Sequence, residues 1–344
     1  MPNARRPNAR RDVVVITGGT AGVGRATARL FAGKGADVAV IARGREGLEA
    51  TRGEIEALGA RALAIQADVA DEDAVEAAAA RIEDELGPID IWVNNAFAGI
   101  FSTFMEMTSE EYRRVTDVTY YGQVHGTRAA LRRMLPRRRG SIVLVGSALA
   151  YRGIPLQSAY CGAKHAVQGF LDAVRCELIH ADSPVRLCMV QLPALNTPQF
   201  DWGRVHIDSK PRPAGKIYQP EVAARAIRFA AYSRRKEVWV GRTTIEAIVG
   251  DALASPWLDR YLGATGVDGQ ATGEPLERGR RDNLFEPVPG DPGAHGRFDA
   301  QASPSSLQMV LNRHRGAAVA AGAGAALAAG TAWLLRNRAR RAAD

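Results

Sequence analysis

The sequence contains few cysteines and histidines, and these shortages exclude several kinds of site. Three cysteines occur among 344 residues, an odd number without CxxC spacing, so we expect neither a disulfide framework nor a structural zinc site. The six histidines include no pair at metal-ligand spacing, and no metal site is predicted. No long apolar segment precedes the first predicted strand, so a secretory signal is not expected. Together these features indicate a reducing compartment, and we expect a cytoplasmic protein.

The formal net charge of +8 lies at the two ends of the chain. Residues 1–11 and 313–344 together contribute +9, so residues 12–312 carry −1. A nearly neutral body gives no support from net charge for a nucleic-acid-binding face, because such faces concentrate basic residues. No nucleic-acid partner is therefore predicted.

Short β-branched segments alternate with longer amphipathic segments between residues 12 and 250. This order is typical of an α/β fold in which helices cover both faces of a parallel sheet. The candidate strands are apolar almost throughout, as burial on both faces requires. The pattern predicts about seven strands, at Val13–Ile16, Val38–Ile41, Ala62–Ile65, Ile89–Val93, Ser141–Val145, Val185–Val190 and Glu237–Val240.

The composition divides the chain into a basic arm at residues 1–11, an α/β domain at 12–250, an extension at 251–312 and a tail at 313–344. Residues 264–306 are rich in Gly, Pro, Asp and Arg and lack sustained periodicity. Such a segment either wraps the domain or is mobile. Phe285 and Phe298 favour docking onto the domain.

The tail contains a charge-free run at residues 316–335, with ten alanines and four glycines, between groups of arginines. Twenty residues form a helix of about 30 Å, which matches the core of a bilayer. Alanine and glycine add little apolar surface, however. Two interpretations stay open: a helix that associates with a membrane surface through its arginines, and a disordered or self-associating tail.

A glycine-rich turn follows the first strand in the sequence TGGTAGVG, which contains Thr17, Gly18, Gly22 and Gly24. Glycine permits positive φ at a tight turn and close approach of the backbone to a pyrophosphate. The amides at the start of the following helix then face anionic oxygens. By itself this turn is weak evidence, because a flexible helix start has the same composition.

Three further residues have the chemistry of an acid–base site. Tyr160 and Lys164 lie four residues apart in a predicted helix, so both side chains share one face. Ser147 ends a predicted strand, at the edge of a parallel sheet where ligands bind. A phenol acts as a general acid when a neighbouring ammonium stabilises its phenolate. Only five of the 45 basic residues are lysines, so lysine at position 164 favours a proton-transfer role over chance.

These segments, in this order, resemble the short-chain dehydrogenase/reductase family over residues 12–250. The resemblance rests on TGxxxGxG, Asn94–Ala96, Ser147, YxxxK and the proline-containing segment Pro193–Thr197. It implies a Rossmann-type doubly wound sheet that contains both cofactor and catalytic residues. It also implies hydride transfer between a nicotinamide and a small-molecule carbonyl or alcohol, and a homo-oligomer.

The resemblance also assigns roles to residues. It implies that Tyr160 is the acid/base, that Ser147 hydrogen-bonds the substrate oxygen, and that Lys164 binds the nicotinamide ribose and lowers the pKa of Tyr160. Thr119 stands where the family has a catalytic asparagine, and Phe97 replaces a family glycine. The implied cofactor-binding residues are Thr17, Gly18, Thr20, Gly22, Val23, Gly24, Asp68, Val69, Asn95, Ala96, Tyr160, Lys164, Pro193 and Thr197.

The second strand ends in Ala42 and Arg43, which bear on the choice of cofactor. An acidic residue at this point reads the adenosine ribose hydroxyl of NAD, whereas arginine accommodates the 2′-phosphate of NADP. Here no carboxylate would repel a phosphate, so we predict NADP(H) rather than NAD(H), bound through Arg43 with help from Thr20. The alternative for Arg43 is a solvated loop charge.

The segment from Leu195 to Pro220 corresponds to a substrate lid in the family, and Phe200, Trp202 and Ile217 would give it an apolar inner surface. The predicted function is therefore an NADP(H)-dependent oxidoreductase acting on a fairly apolar carbonyl or secondary alcohol. The alternative is a catalytically weak NADP-binding sensor or scaffold linked to a membrane. Thr119, Phe97 and the tail favour that alternative.

Overall fold

The computed structural model describes residues 10–277 and 279–313. The strands are β1 Val13–Thr17, β2 Asp37–Ala42, β3 Ala62–Gln66, β4 Ile89–Asn94, β5 Ile100–Phe101, β6 Ser141–Ser147, β7 Arg186–Leu192, β8 Arg204–Val205, β9 Ser209–Pro211, β10 Glu237–Trp239 and β11 Ala271–Pro275. The helices are α1 Gly22–Ala32, α2 Arg45–Ala57, α3 Glu72–Leu86, α4 Ser109–Thr116, α5 Gly122–Met134, α6 Ser158–His180, α7 Gln199–Trp202, α8 Pro220–Tyr232, α9 Arg242–Thr265 and α10 Leu307–Arg313.

A seven-stranded sheet forms the centre of the domain, in the order β3-β2-β1-β4-β6-β7-β10. All its pairs are parallel. The strand order runs outward in opposite directions from β1 and β4, and ligands bind at such a switch point. The predicted doubly wound parallel sheet and its seven strands are confirmed.

The sheet is buried on both faces, which explains the continuous apolar character of its strands. Successive side chains of a strand point to opposite faces. In β1, Val13 and Val15 pack with residues of α3, α5 and α6, whereas Val14 and Ile16 pack with residues of α1, α2 and α8. Two apolar layers therefore enclose the sheet and fix the strand ends that form the site.

Parts of the chain beyond the sheet pack against the domain. Helix α9 runs across residue 250, where the sequence predicts a boundary, and is kinked at Ala254 before Pro256. Strand β11 pairs antiparallel with β9. Leu284 is fully buried in the core layer that contains α3 and α6, and Phe298 packs with Phe101 and Phe200.

The predicted tail helix at residues 316–335 lies outside the described residues. Among residues 10–277 and 279–313, no helix combines the length and the apolar character needed to cross a bilayer.

Candidate active site

The glycine turn after β1 is shaped by two backbone constraints. Gly22 has a φ of +50°, a conformation that other residues adopt at a cost. A Cβ at Gly24 would lie 2.1 Å from the carbonyl oxygen of Gly18, so only glycine fits there. No side chain caps the first turn of α1 in the described structure. The turn therefore brings the amino end of a helix, which favours anions, to the edge of the sheet.

Thr17 joins this turn to the loop after β4. Its hydroxyl accepts hydrogen bonds from the backbone amides of Asn95 (3.0 Å) and Ala96 (3.1 Å). The Asn95 side chain in turn donates to the carbonyl oxygens of Thr17 (3.0 Å) and Gly18 (3.1 Å). Thr17 and Asn95 thus hold the ends of β1 and β4 in register at the switch point.

Ser147, Tyr160 and Lys164 come together at the carboxyl end of β6. Ser147 ends that strand, and its hydroxyl accepts from the backbone amide of Leu149 (3.1 Å). Tyr160 and Lys164 lie in the first two turns of α6, with the Lys164 ammonium 5.5 Å from the centre of the Tyr160 ring. Lys164 Nζ also donates to the carbonyl oxygen of Val145 (2.7 Å). The edge-on packing of Tyr160 against Phe97, with ring centres 5.7 Å apart, orients the phenol.

Burial changes the acidity of two of these groups in opposite senses. It raises the pKa of Tyr160, while hydrogen bonding with Ser147 acts to lower it. Burial lowers the pKa of Lys164 to about 7. Both shifts favour the neutral form, because a charge in a poorly solvated site is costly. Perturbed titratable groups grouped at a cavity are typical of acid–base sites.

A cavity of about 440 Å³ opens at this edge of the sheet. A volume of this size is suited to a small organic ligand. Fourteen of the predicted catalytic and cofactor-binding residues line its wall: Gly18, Thr20, Gly22, Val23, Arg43, Asp68, Val69, Asn95, Ala96, Ser147, Tyr160, Lys164, Pro193 and Thr197. Phe200 and Trp202 of the predicted lid line it as well, whereas Ile217 is buried against Phe101, Phe200 and Phe298.

Thr119 lies in a π-helical turn, Asp117–Tyr121, between α4 and α5. Its hydroxyl accepts from the backbone amide of Ala98 (3.0 Å) and donates to the Ala98 carbonyl oxygen (3.0 Å). It is outside the set of described residues that form the cavity wall, as are Thr17 and Gly24. In this structure the Thr119 side chain therefore fixes the loop after β4 and makes no contact with the space where a ligand would sit.

Sequence reasoning missed a second set of wall residues, which come from the extension. We call residues 283–298 the strap; its cavity-lining members are Asn283, Pro287, Val288, Gly290 and Pro292. Arg43 donates to the backbone carbonyl oxygens of Asn283, Leu284 (3.3 Å) and Phe285 (2.7 Å). The strap therefore passes directly over the end of β2. Its Gly/Pro composition, Phe285 and Phe298 were the signals in the sequence.

Helix α1 anchors the strap at a second point. The Arg25 side chain is 2% exposed and forms ion pairs with Glu54 and with Asp291 of the strap. The amide of Gly22 donates to the carbonyl oxygen of Gly293 (3.1 Å). A buried arginine requires such partners, because an unpaired buried charge is strongly destabilising. The strap is thus held to the glycine turn as well as to β2.

The fold and the site define the class of this protein. A Rossmann-type domain with these residues at the carboxyl ends of its strands is typical of an NAD(P)-dependent oxidoreductase. The sequence profile of the short chain dehydrogenase family matches residues 12–202. The chain belongs to the short-chain dehydrogenase/reductase family, whose members bind NAD(P), act on small molecules and are commonly oligomeric.

Relatives in sequence and in structure agree with this assignment. The chain is 34% identical over 253 residues to the uncharacterized oxidoreductase YxnA of Bacillus subtilis, covering 73% of this chain and 71% of that protein. It is 31% identical over 242 residues to dehydrogenase/reductase SDR family member 7B of Xenopus tropicalis, covering 66% of this chain and 76% of that protein.

Two solved structures resemble the fold at 25% identity. A short-chain dehydrogenase from Streptomyces avermitilis has a TM-score of 0.63, covering 75% of this chain and 99% of that one. An alcohol dehydrogenase from Thermococcus sibiricus, complexed with 5-hydroxy-NADP, has a TM-score of 0.58, covering 67% and 96%.

The buried Lys164 predicts a specific dependence of stability on pH. Its pKa is about 7 in the folded chain against an ordinary 10.5, so between these values the unfolded chain binds more protons at this site. Stability therefore rises with pH through this window, by up to about 1.4 kcal/mol per pH unit. We expect Lys164→Met to remove that rise, and Lys216→Met, at an exposed lysine, to retain it.

Chemical denaturation of the three proteins at pH 7, 8 and 9 measures the effect. If the free energy of unfolding rose equally with pH in the native protein and in Lys164→Met, the prediction would be contradicted.

Proposed function

We propose that the protein is an NADP(H)-dependent oxidoreductase that interconverts a carbonyl and a secondary alcohol on a fairly apolar small molecule. One observation carries the proposal: Ser147, Tyr160 and Lys164 line the same cavity as the glycine turn and Arg43. A proton donor and a dinucleotide-binding turn therefore open onto a common space. The apolar wall around them, which includes Phe97, favours an apolar substrate.

In the proposed reaction, the Ser147 hydroxyl donates a hydrogen bond to the carbonyl oxygen of the substrate. Bound NADPH supplies the hydride. Tyr160 transfers its proton to the oxygen as negative charge develops there. Its raised pKa keeps the phenol protonated at neutral pH, which is the form that reduction needs. Lys164, when protonated, stabilises the resulting phenolate across the 5.5 Å that separates its ammonium from the ring centre.

The preference for NADP(H) is supported by charge at the end of β2. Ala42 leaves that end without a carboxylate, and Arg43 lines the cavity beside Thr20 and Gly44. Hydrogen bonds to the strap carbonyls fix the guanidinium there, and its remaining donor capacity suits a phosphate. The Thermococcus sibiricus relative is complexed with an NADP analogue, which is consistent with this choice.

Arg43→Ala should weaken NADPH binding by about 10- to 100-fold and leave NADH binding within about twofold. The measurement is fluorescence titration of both cofactors. Arg45→Ala is the matched control, because this arginine is exposed two residues further along. Equal losses of affinity for NADPH and NADH would instead indicate that Arg43 acts only by holding the strap. That result would refute the assignment of Arg43 to the 2′-phosphate.

The activity itself is tested by NADPH oxidation over a panel of ketones and aldehydes, with Tyr160→Phe as the inactive reference. The second candidate, an NADP-binding sensor or scaffold, draws support from Thr119, whose hydroxyl is bonded to Ala98 where the family has an asparagine. Tight NADPH binding without turnover of any carbonyl would favour that candidate.

Two further parts of the proposal concern assembly and location. A homo-oligomer, a cytoplasmic location and contact of residues 316–335 with a membrane surface stay predictions. Three apolar side chains on and near α5 and α6 are exposed and are compatible with an oligomer: Tyr121, Leu135 and Ile179.

A further inference from the structure

Arg212 is a charged residue in the cavity wall whose side chain has no partner among the described residues. It follows β9 between Pro211 and Pro213, and its Nε is buried without a hydrogen bond. Within residues 10–277 and 279–313, its guanidinium makes no hydrogen bond or ion pair. The other two basic residues of the wall, Arg43 and Lys164, each donate to backbone carbonyls. Among the described basic residues of this wall, Arg212 is therefore the one whose side chain makes no hydrogen bond to the protein.

Hydrogen bonds connect the backbone of Arg212 to the part of the cavity wall that contains Ser147, Tyr160 and Lys164, which we call the catalytic half. Its amide donates to the carbonyl oxygen of Gln270 (2.9 Å). The Gln270 side chain accepts from Gln157 (2.6 Å) and donates to the carbonyl oxygen of Pro155 (2.9 Å). Gln157 immediately precedes α6, three residues before Tyr160. One glutamine therefore connects the Arg212 backbone to the start of the helix that holds the catalytic tyrosine.

The described residues of the cavity wall offer Arg212 no free carboxylate. Asp68 is the acidic residue among the described wall residues, and it forms an ion pair with Arg114. The remaining side chains that line the catalytic half are mainly apolar: Phe97, Phe101, Leu149, Ile154, Phe200 and Trp202. The Nε of Arg212 is buried beside this surface without a hydrogen-bond partner, and an anionic ligand bound there would provide an acceptor.

We propose that Arg212 binds a carboxylate of the substrate, so that the substrate is an apolar carbonyl or alcohol compound that also contains an acid group. The proposal rests on the proposed function. The guanidinium fork matches a carboxylate in a bidentate arrangement. A single cation suits a monoanion, whereas a phosphate dianion would need more donors than this part of the wall provides.

Binding tests the proposal without requiring turnover. The probes are aryl and medium-chain carboxylates and their matched primary carboxamides, titrated by calorimetry into the NADP-loaded protein. We expect the native protein to prefer carboxylates by about 10- to 100-fold. Arg212→Gln should lose that preference, and Arg212→Lys should retain part of it. Arg234→Gln, which removes the same charge at an exposed position, should leave it unchanged.

Kinetics provide a second measurement, with oxo acids compared with their methyl esters. Arg212→Gln should lower kcat/KM for the acids by about 10- to 100-fold, mainly through KM, and leave the esters and the NADPH affinity unchanged. Equal binding of carboxylates and carboxamides by the native protein would overturn the proposal. So would a loss of NADPH affinity in Arg212→Gln, which would place the guanidinium on the cofactor. Selective carboxylate binding without turnover would uphold this site while the proposed function failed.

Discussion

Tyr160→Phe should reduce turnover by about a thousandfold, within the range of about 10²- to 10⁴-fold that general acid catalysis contributes. The substitution removes the proton that the substrate oxygen needs and leaves the ring in place. The edge-on contact with Phe97 and the position of α6 are retained. The midpoint of unfolding should therefore change little, because the packing of the ring is retained.

The measurement is single-turnover oxidation of NADPH with the best carbonyl of the panel. Tyr232→Phe is the matched control, because it also removes one phenolic hydroxyl. Tyr232 is the last residue of α8, and its hydroxyl donates to Asp12 (2.7 Å) at an exposed position. Its turnover should equal that of the native protein. Turnover unaffected by Tyr160→Phe would refute the acid role and with it the mechanism.

The parts of the fold that the sequence predicts well are those in which local physical demands are strong. Burial on both faces makes each central strand apolar at every position, and the strands alternate with helices. The glycine turn is equally predictable, because the structure accepts only glycine at position 24. A Cβ there would lie 2.1 Å from the carbonyl oxygen of Gly18. Tyr160 and Lys164 are legible because helix periodicity alone places them together.

Phe285 and Phe298 favoured docking of the strap, but its contacts could not be predicted, for a different physical reason. Arg43 and Phe285 are 242 positions apart, and the hydrogen bonds join a side chain to backbone carbonyls, which every residue possesses. Arg25 is similar: in an arginine-rich chain, nothing local distinguishes the one that is buried between Glu54 and Asp291. Pairing at long range leaves no periodic signal, and a Gly/Pro-rich segment reads as a loop whether it docks or not.

The same reasoning applies to roles assigned by position alone. The resemblance predicts a catalytic position for Thr119, and in the structure its hydroxyl bonds both the amide and the carbonyl oxygen of Ala98. Nothing in the sequence distinguished Arg212, because its proposed role depends on the absence of a side-chain partner among the described residues. The sequence identifies the chemical groups of a residue, whereas only the folded structure shows which partners those groups have.

Leu284→Ala tests whether the strap is an integral part of the domain. Leu284 is 0% exposed and packs in the core layer with residues of α3 and α6. Truncating a fully buried leucine costs about 2–5 kcal/mol, from lost apolar burial and the cavity that remains. Its carbonyl oxygen also accepts from Arg114 (3.0 Å), which pairs with Asp68 at the cofactor end of the cavity. We therefore expect the free energy of unfolding to fall by that amount, with weaker NADPH binding.

Leu307→Ala provides the matched control, because this leucine belongs to the same extension but is 73% exposed. Its cost should stay within about 0.5 kcal/mol, as for most exposed substitutions. Urea denaturation followed by circular dichroism gives both free energies. If the two variants were equally stable, Leu284 would not be part of the core that unfolds cooperatively, and the strap would be a peripheral segment. If Leu284→Ala alone loses stability, the extension folds with the Rossmann domain as one unit, and the cofactor site depends on both.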